Sequence, residues 1–159
     1  MELREGEQIL KIYHHHPTPF VFQILKAVLA TLPFFFLLFI LQTAFSSSAY
    51  VIAHLLVFAV FSLLVVYLSL IYWLDKLVIT NLRIIHVDWK YLTIRDEAEA
   101  LLDDIQDILT AEKGLLSYFS FFDYGQIRID TASSHTTLTF EDAPNPEGIR
   151  QFIYHVRHQ

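Results

Sequence analysis

From Ala27 to Leu74 the chain carries no Asp, Glu, Lys or Arg, and apart from tyrosines His54 is the only titratable side chain in that stretch. The core of a small soluble domain cannot absorb an apolar run of this length. A bilayer's hydrocarbon layer is about 30 Å thick, and a helix needs roughly 20 apolar residues to cross it. Backbone groups in hydrocarbon must be satisfied within the segment, so helices are the form to expect. The run divides at Phe45-Ser46-Ser47-Ser48, a short polar turn. The sequence therefore predicts a hairpin over residues 20–74, with spans at about 20–43 and 49–73. Pro17 and Pro19 are expected to stop the first helix extending backwards.

Flanking cations set the orientation. The hairpin tip has none, whereas Arg4, Lys11 and Lys26 flank the first span and Lys76, Arg83 and Lys90 follow the second. The positive-inside rule then predicts a multi-pass protein of the inner membrane with both termini in the cytoplasm. Lys26 is read as snorkelling to the headgroups, with Tyr72 and Trp73 at the same inner interface. Phe45, Tyr50 and His54 are assigned to the outer side, and Pro33 is expected to kink the first helix. Glu2, Glu5 and Glu7 ahead of so long a run argue against a cleaved signal peptide.

Outside the hairpin the sequence predicts a cytoplasmic leader, residues 1–19, and a folded tail, residues 75–159. From Asp75 onward there are eight basic and fourteen acidic residues, a balance of −6 that equals the whole chain's. No cluster of four Lys or Arg exists, so nucleic acid is not an expected partner and anionic headgroups are disfavoured. Lys76 to Thr80 and Arg83 to Trp89 read as strands, with Ile85, Val87 and Trp89 on one face. Gln126 to Thr131 and His135 to Phe140 alternate as half-buried strands, linked at Ala132-Ser133-Ser134. Asn145, Pro146 and Glu147 announce a helix whose stripe is Ile149, Phe152, Ile153 and Val156. The middle segment is ambiguous. Ala98, Leu101, Leu102, Ile105, Ile108 and Leu109 share one helical face, yet strands at 95–101 and 104–112 are the competing reading.

In order along the chain, Lys76-Leu77-Val78-Ile79-Thr80-Asn81-Leu82-Arg83-Ile84-Ile85, Leu101-Leu102-Asp103-Asp104-Ile105-Gln106-Asp107-Ile108, Gly114-Leu115-Leu116, Phe122-Asp123-Tyr124-Gly125, Thr131-Ala132 and Asn145-Pro146-Glu147 form a series. It resembles the bacterial pleckstrin-homology-like (PH-like) domain of the YdbS-like family, formerly DUF304. Gly6-Glu7-Gln8-Ile9-Leu10 with His16-Pro17 is similar to that family's leader. The resemblance implies a two-helix transmembrane hairpin followed by a mainly antiparallel-β PH-like barrel or sandwich with a C-terminal helix. It also implies that the Leu102 to Glu112 region belongs to the sheet, and that Leu115 to Phe122 is a short helix or turn between strands. Ser133-Ser134 departs from the glycine common at that hairpin.

Catalytic motifs are absent: no GxSxG, HExxH, P-loop or glycine-rich dinucleotide turn occurs. Asp103, Asp104, Asp107 and Glu112 lack the alternation and glycine of an EF-hand. His14-His15-His16 sit on the leader, where adjacent imidazoles cannot all converge on one ion; they gain charge as pH falls below about 6.5. No metal or cofactor is assigned. Thr80, Asn81 and Arg83 are the most distinctive polar residues of the tail, read first as turn chemistry and second as flanking a ligand groove. The functional expectation is a non-enzymatic, membrane-anchored interaction module that binds protein or self-associates. Lipid-headgroup sensing, or an accessory role to a transporter or membrane enzyme, is the alternative.

Overall fold

A computed structural model of the chain describes residues 2–112, 124–132 and 137–158. It divides into two units: Pro17–Leu70, and Met1–His16 together with Ile71–Gln159.

The first unit is the apolar hairpin. Helix α1 spans Pro17–Ile40, a 3-10 turn follows at Leu41–Thr43, and α2 spans Ser47–Leu74. Both helices are long and apolar enough to cross a membrane. α1 starts at Pro17 rather than Phe20, because proline in a first turn forfeits no intrahelical hydrogen bond. Pro33 lies inside α1. Thr31, Ser69 and His54 bond to their own helices: Thr31 Oγ1 donates to the Ala27 carbonyl, Ser69 Oγ to that of Val65 and His54 Nδ1 to that of Tyr50. No residue of α2 is buried, and Leu63 is 70% exposed.

The second unit is a β-sandwich of four strands facing three. Strands β1 (Ile9–Tyr13), β2 (Lys76–Thr80), β3 (Arg83–Tyr91) and β4 (Ile94–Leu101) form one antiparallel sheet in that order. Strands β5 (Ile105–Glu112), β6 (Tyr124–Thr131) and β7 (Thr137–Pro144) form the other. Helix α3 (Pro146–Arg157) closes the chain. Alternate residues of both sheets, among them Leu77, Ile79, Ile84, Ile127, Ile129, Leu138 and Phe140, meet in one core with Ile149 and Ile153 of α3. This is the PH-like plan that the resemblance implied.

One expectation needs correcting. Residues 1–19 are not a leader outside the domain, because β1 pairs with β2 through Lys11↔Ile79, Ile12↔Val78 and Tyr13↔Leu77. The hairpin is therefore inserted between two neighbouring strands of one sheet. A β-prone pentapeptide gives no sign of its partner when that partner lies beyond two helices.

The ambiguous segment at 98–109 is two strands joined by a 3-10 turn at Leu102–Asp104, the reading that the resemblance implied over the helical stripe. A register shift between Ile105 and Asp107 lets Ile105 and Ile108 both face the core. A bulge of this kind imitates the spacing of a helix. Of the other members of the stripe Leu102 is buried and Ala98 half-buried, whereas Leu101 and Leu109 are exposed. The expectation for Leu115 to Phe122 and the Ser133-Ser134 turn lie outside the described residues.

Candidate functional site

Two polar clusters occupy the β-domain, and both are built by the segment ahead of the hairpin.

The first is a clamp around Arg83. Thr80 Oγ1 accepts from the Leu82 and Arg83 amides, which shapes the turn between β2 and β3. Asn81 Oδ1 accepts from the Gln8 amide at 2.7 Å, while its Nδ2 donates to the Gly6 carbonyl at 3.2 Å. Gly6 adopts φ +78, a conformation that glycine reaches without strain. The resulting turn aims Glu7 inward, where its carboxylate takes bonds from Arg83 Nε at 2.8 Å and Nη2 at 2.9 Å. Arg83 Nη1 donates to Glu99 at 2.6 Å and Nη2 also to the Glu2 carbonyl at 2.8 Å. The side chains of Arg83 and Glu7 are 5% and 0% exposed. Arg83 outweighs the cost of burial and holds the Glu7 carboxyl down at about 2. In turn the Glu7 carboxylate raises the Arg83 guanidinium above its ordinary value. Each nitrogen of the Arg83 guanidinium is thus bonded to the protein itself.

The second cluster joins His15, Asp75 and His86. His15 follows β1, Asp75 is the residue between α2 and β2, and His86 lies on β3 opposite Leu77. His15 Nδ1 lies 2.5 Å from the Glu141 carbonyl of β7, and its Nε2 lies 3.0 Å from Asp75 Oδ2. With an acceptor at each nitrogen, only the imidazolium satisfies both. Burial opposes that charge, but the bond to Asp75, its charge and the Glu141 carbonyl outweigh it and raise the His15 pKa. Burial likewise pushes Asp75 up, yet His15 and His86 hold it well below the usual carboxylate range. His86 Nε2 stands 3.4 Å from Asp75 Oδ1, and both of these buried atoms lack a hydrogen-bond partner. Phe140 fixes both rings: His15 stacks on it at 4.6 Å and His86 meets it edge-on at 5.3 Å.

The histidine triplet does not act as one group. His16 stacks on Tyr124 at 5.4 Å, and its amide donates to the Asp142 carbonyl at 2.7 Å. His14 lines a separate apolar depression with Ile12, Trp73, Leu74 and Lys76. Trp73 is 73% exposed there, and the Tyr72 hydroxyl donates to the His15 carbonyl at 2.9 Å. Lys26 lies on α1, in the other unit.

Of these residues, Thr80, Asn81 and Arg83 stood out in the sequence. Their acidic partner Glu7 did not, because nothing local links it to a turn so distant in the chain. His86 carried a weak signal: with Ile85 and Val87 on one face, it had to share the other with Ile84.

The geometry defines a PH-like β-sandwich carrying an apolar helical hairpin between its first two strands. No protein-family model and no curated protein matches the chain. Among solved structures it is similar to a DUF1696 family protein with a pleckstrin-homology domain from Shewanella loihica PV-4. That match has 16% identity and a TM-score of 0.40, over 52% of this chain and 70% of the other. It is similar also to a pleckstrin homology domain from Shewanella amazonensis SB2B, at 15% identity and a TM-score of 0.41, over 52% and 66% of the two chains.

Proposed function

We propose that this chain is a membrane-anchored, non-enzymatic PH-like interaction module. The hairpin crosses the bilayer twice, and the β-domain stands on the cytoplasmic face, as the flanking cations favour. The observation that carries this reading is the insertion itself. Two helices with no buried residue in α2 leave and rejoin the sheet at paired strands, with Asp75 alone between α2 and β2. So short a connection supports a reading in which the domain works next to the membrane.

The interacting surface is the β1 edge. β1 is the outermost strand of its sheet, and Ile9, Leu10 and Ile12 on it are each 43–44% exposed. An open edge with apolar side chains is a template for strand addition by another chain or a second copy. The clamp on Arg83 argues against the lipid alternative, since that buried cation is already spent on Glu7 and Glu99.

The test uses the full chain in nanodiscs of phosphatidylcholine alone and with anionic lipid. Particle mass and co-purifying proteins are measured for the wild type and for a Leu10→Lys/Ile12→Lys variant. A self-assembled or partner-bound particle that the variant loses, in either lipid, supports the module. A single chain with no protein partner in both lipids removes it. Partner-free behaviour that changes only with the headgroup hands the role to lipid sensing.

A further inference from the structure

Among the described residues, one group of histidine and acidic side chains brings three ligand atoms within 4.8 Å of one another: His15, Asp75 and His86. We propose that it is a binding site for one divalent transition-metal ion of the zinc class, held by His15 Nε2, the Asp75 carboxylate and His86 Nε2. This site is independent of the role proposed for the β1 edge.

The spacing is the first argument. Tetrahedral zinc with bonds of about 2.0–2.1 Å sets neighbouring ligand atoms roughly 3.3 Å apart. Here His15 Nε2 lies 3.0 Å from Asp75 Oδ2 and His86 Nε2 3.4 Å from Asp75 Oδ1, and one ligand atom from each of the three residues lies within 4.8 Å of the others, so small ring movements close the set on one ion. The second argument is the support of the ligands. His15 Nδ1 is held by the Glu141 carbonyl, which turns Nε2 toward Asp75. An outer partner of this kind commonly orients a metal-bound histidine. Phe140 limits the swing of both rings.

The third argument is the pair of buried atoms without a hydrogen-bond partner, Asp75 Oδ1 and His86 Nε2. Buried polar atoms in native proteins are nearly always satisfied. A cation between them satisfies both, and takes the place of the proton between His15 and Asp75. Two imidazoles and one carboxylate suit zinc, cobalt or nickel better than calcium or magnesium. Three protein ligands leave a fourth position for water or an external donor.

The experiment uses the full chain in nanodiscs, purified without a histidine tag and stripped with a chelator. Zinc is then titrated in competition with a chromogenic indicator. One ion per chain is expected, with affinity falling at least ~100-fold in His86→Gln, beyond the ~10–100-fold that loss of an outer partner costs. A His14→Ala/His16→Phe variant, which leaves the site's own ligands in place, should bind as the wild type does. Undiminished binding in His86→Gln, or loss of binding in the double variant, would overturn the site and leave the histidine triplet as the binder. Should His86→Gln fail to fold, cobalt loaded into the wild type decides. Intense visible bands of a four- or five-coordinate ion support the site, and weak octahedral bands reject it.

Discussion

Glu7 shows how much one side chain can hold in place. Its carboxylate is the counter-charge of a guanidinium that is almost fully buried, and it belongs to the segment that leads into β1. Removing one partner of such a pair leaves the other charge stranded, at a cost of about 3–5 kcal/mol. Glu7→Ala should therefore lower stability by that amount, read from urea unfolding of the β-domain. The pH dependence has a definite sign. Because the folded pKa is depressed from 4.5 to about 2, the stabilisation is complete above about pH 4.5. It is lost as the pH falls from there through 2. Wild type and Glu7→Gln should converge in stability across that interval; a constant gap down to pH 2 would show that Glu7 is not the titrating group. Gly125 is a second such position. A Cβ there would strike the carbonyl oxygen of Ala111 on the neighbouring strand, with Pro146 Cγ 2.9 Å away. Gly125→Ala should cost about 1–3 kcal/mol, since the obstacle is backbone and cannot rotate aside.

Among the elements, α3 was the most legible and β1 the least. Asn145 caps α3 by accepting from the Gly148 amide at 2.8 Å, and Pro146 and Glu147 occupy the first turn. Ile149 and Ile153 enter the core, as the stripe predicted. Asn145 also adopts φ 45, which asparagine tolerates better than most residues. Asn145→Ala should therefore cost about 1 kcal/mol or more, and Asn145→Gly distinctly less, since glycine keeps the backbone conformation. Equal losses in thermal unfolding would mean that the cap bond alone matters. The strands at 94–101 and 105–112 were hidden locally because a bulge put Ile105 and Ile108 on one side. β1 offered five residues of suitable type and no trace of the strand beside it.

For the whole molecule, the insertion of the hairpin has a direct consequence for any truncated form. Residues 75–159 alone lack β1 and the Glu7 side of the Arg83 clamp, and expose the edge of β2. They should not fold cooperatively. A chain in which a short glycine-serine loop joins His16 to Asp75 keeps all seven described strands, because β1 and β2 are already antiparallel neighbours. It should be soluble, with a single cooperative urea transition and intact near-ultraviolet circular dichroism. If the 75–159 piece unfolds at the same midpoint as the joined chain, β1 is dispensable and the division at residue 75 stands.

The sequence by itself determined what depends on neighbours along the chain. The hairpin follows from an uninterrupted apolar run, α3 from its cap and stripe, β2 from its β-branched apolar residues, and strands β3, β6 and β7 from alternation. The turn chemistry of Thr80 and Asn81 is equally local. Only the tertiary structure decided which distant segments meet. Strand pairing is chosen by complementary edges and a shared core, and neither is written in the spacing of residues on one strand. That is why β1 joined β2 across the hairpin, Glu7 found Arg83, and His15, Asp75 and His86 came together around Phe140.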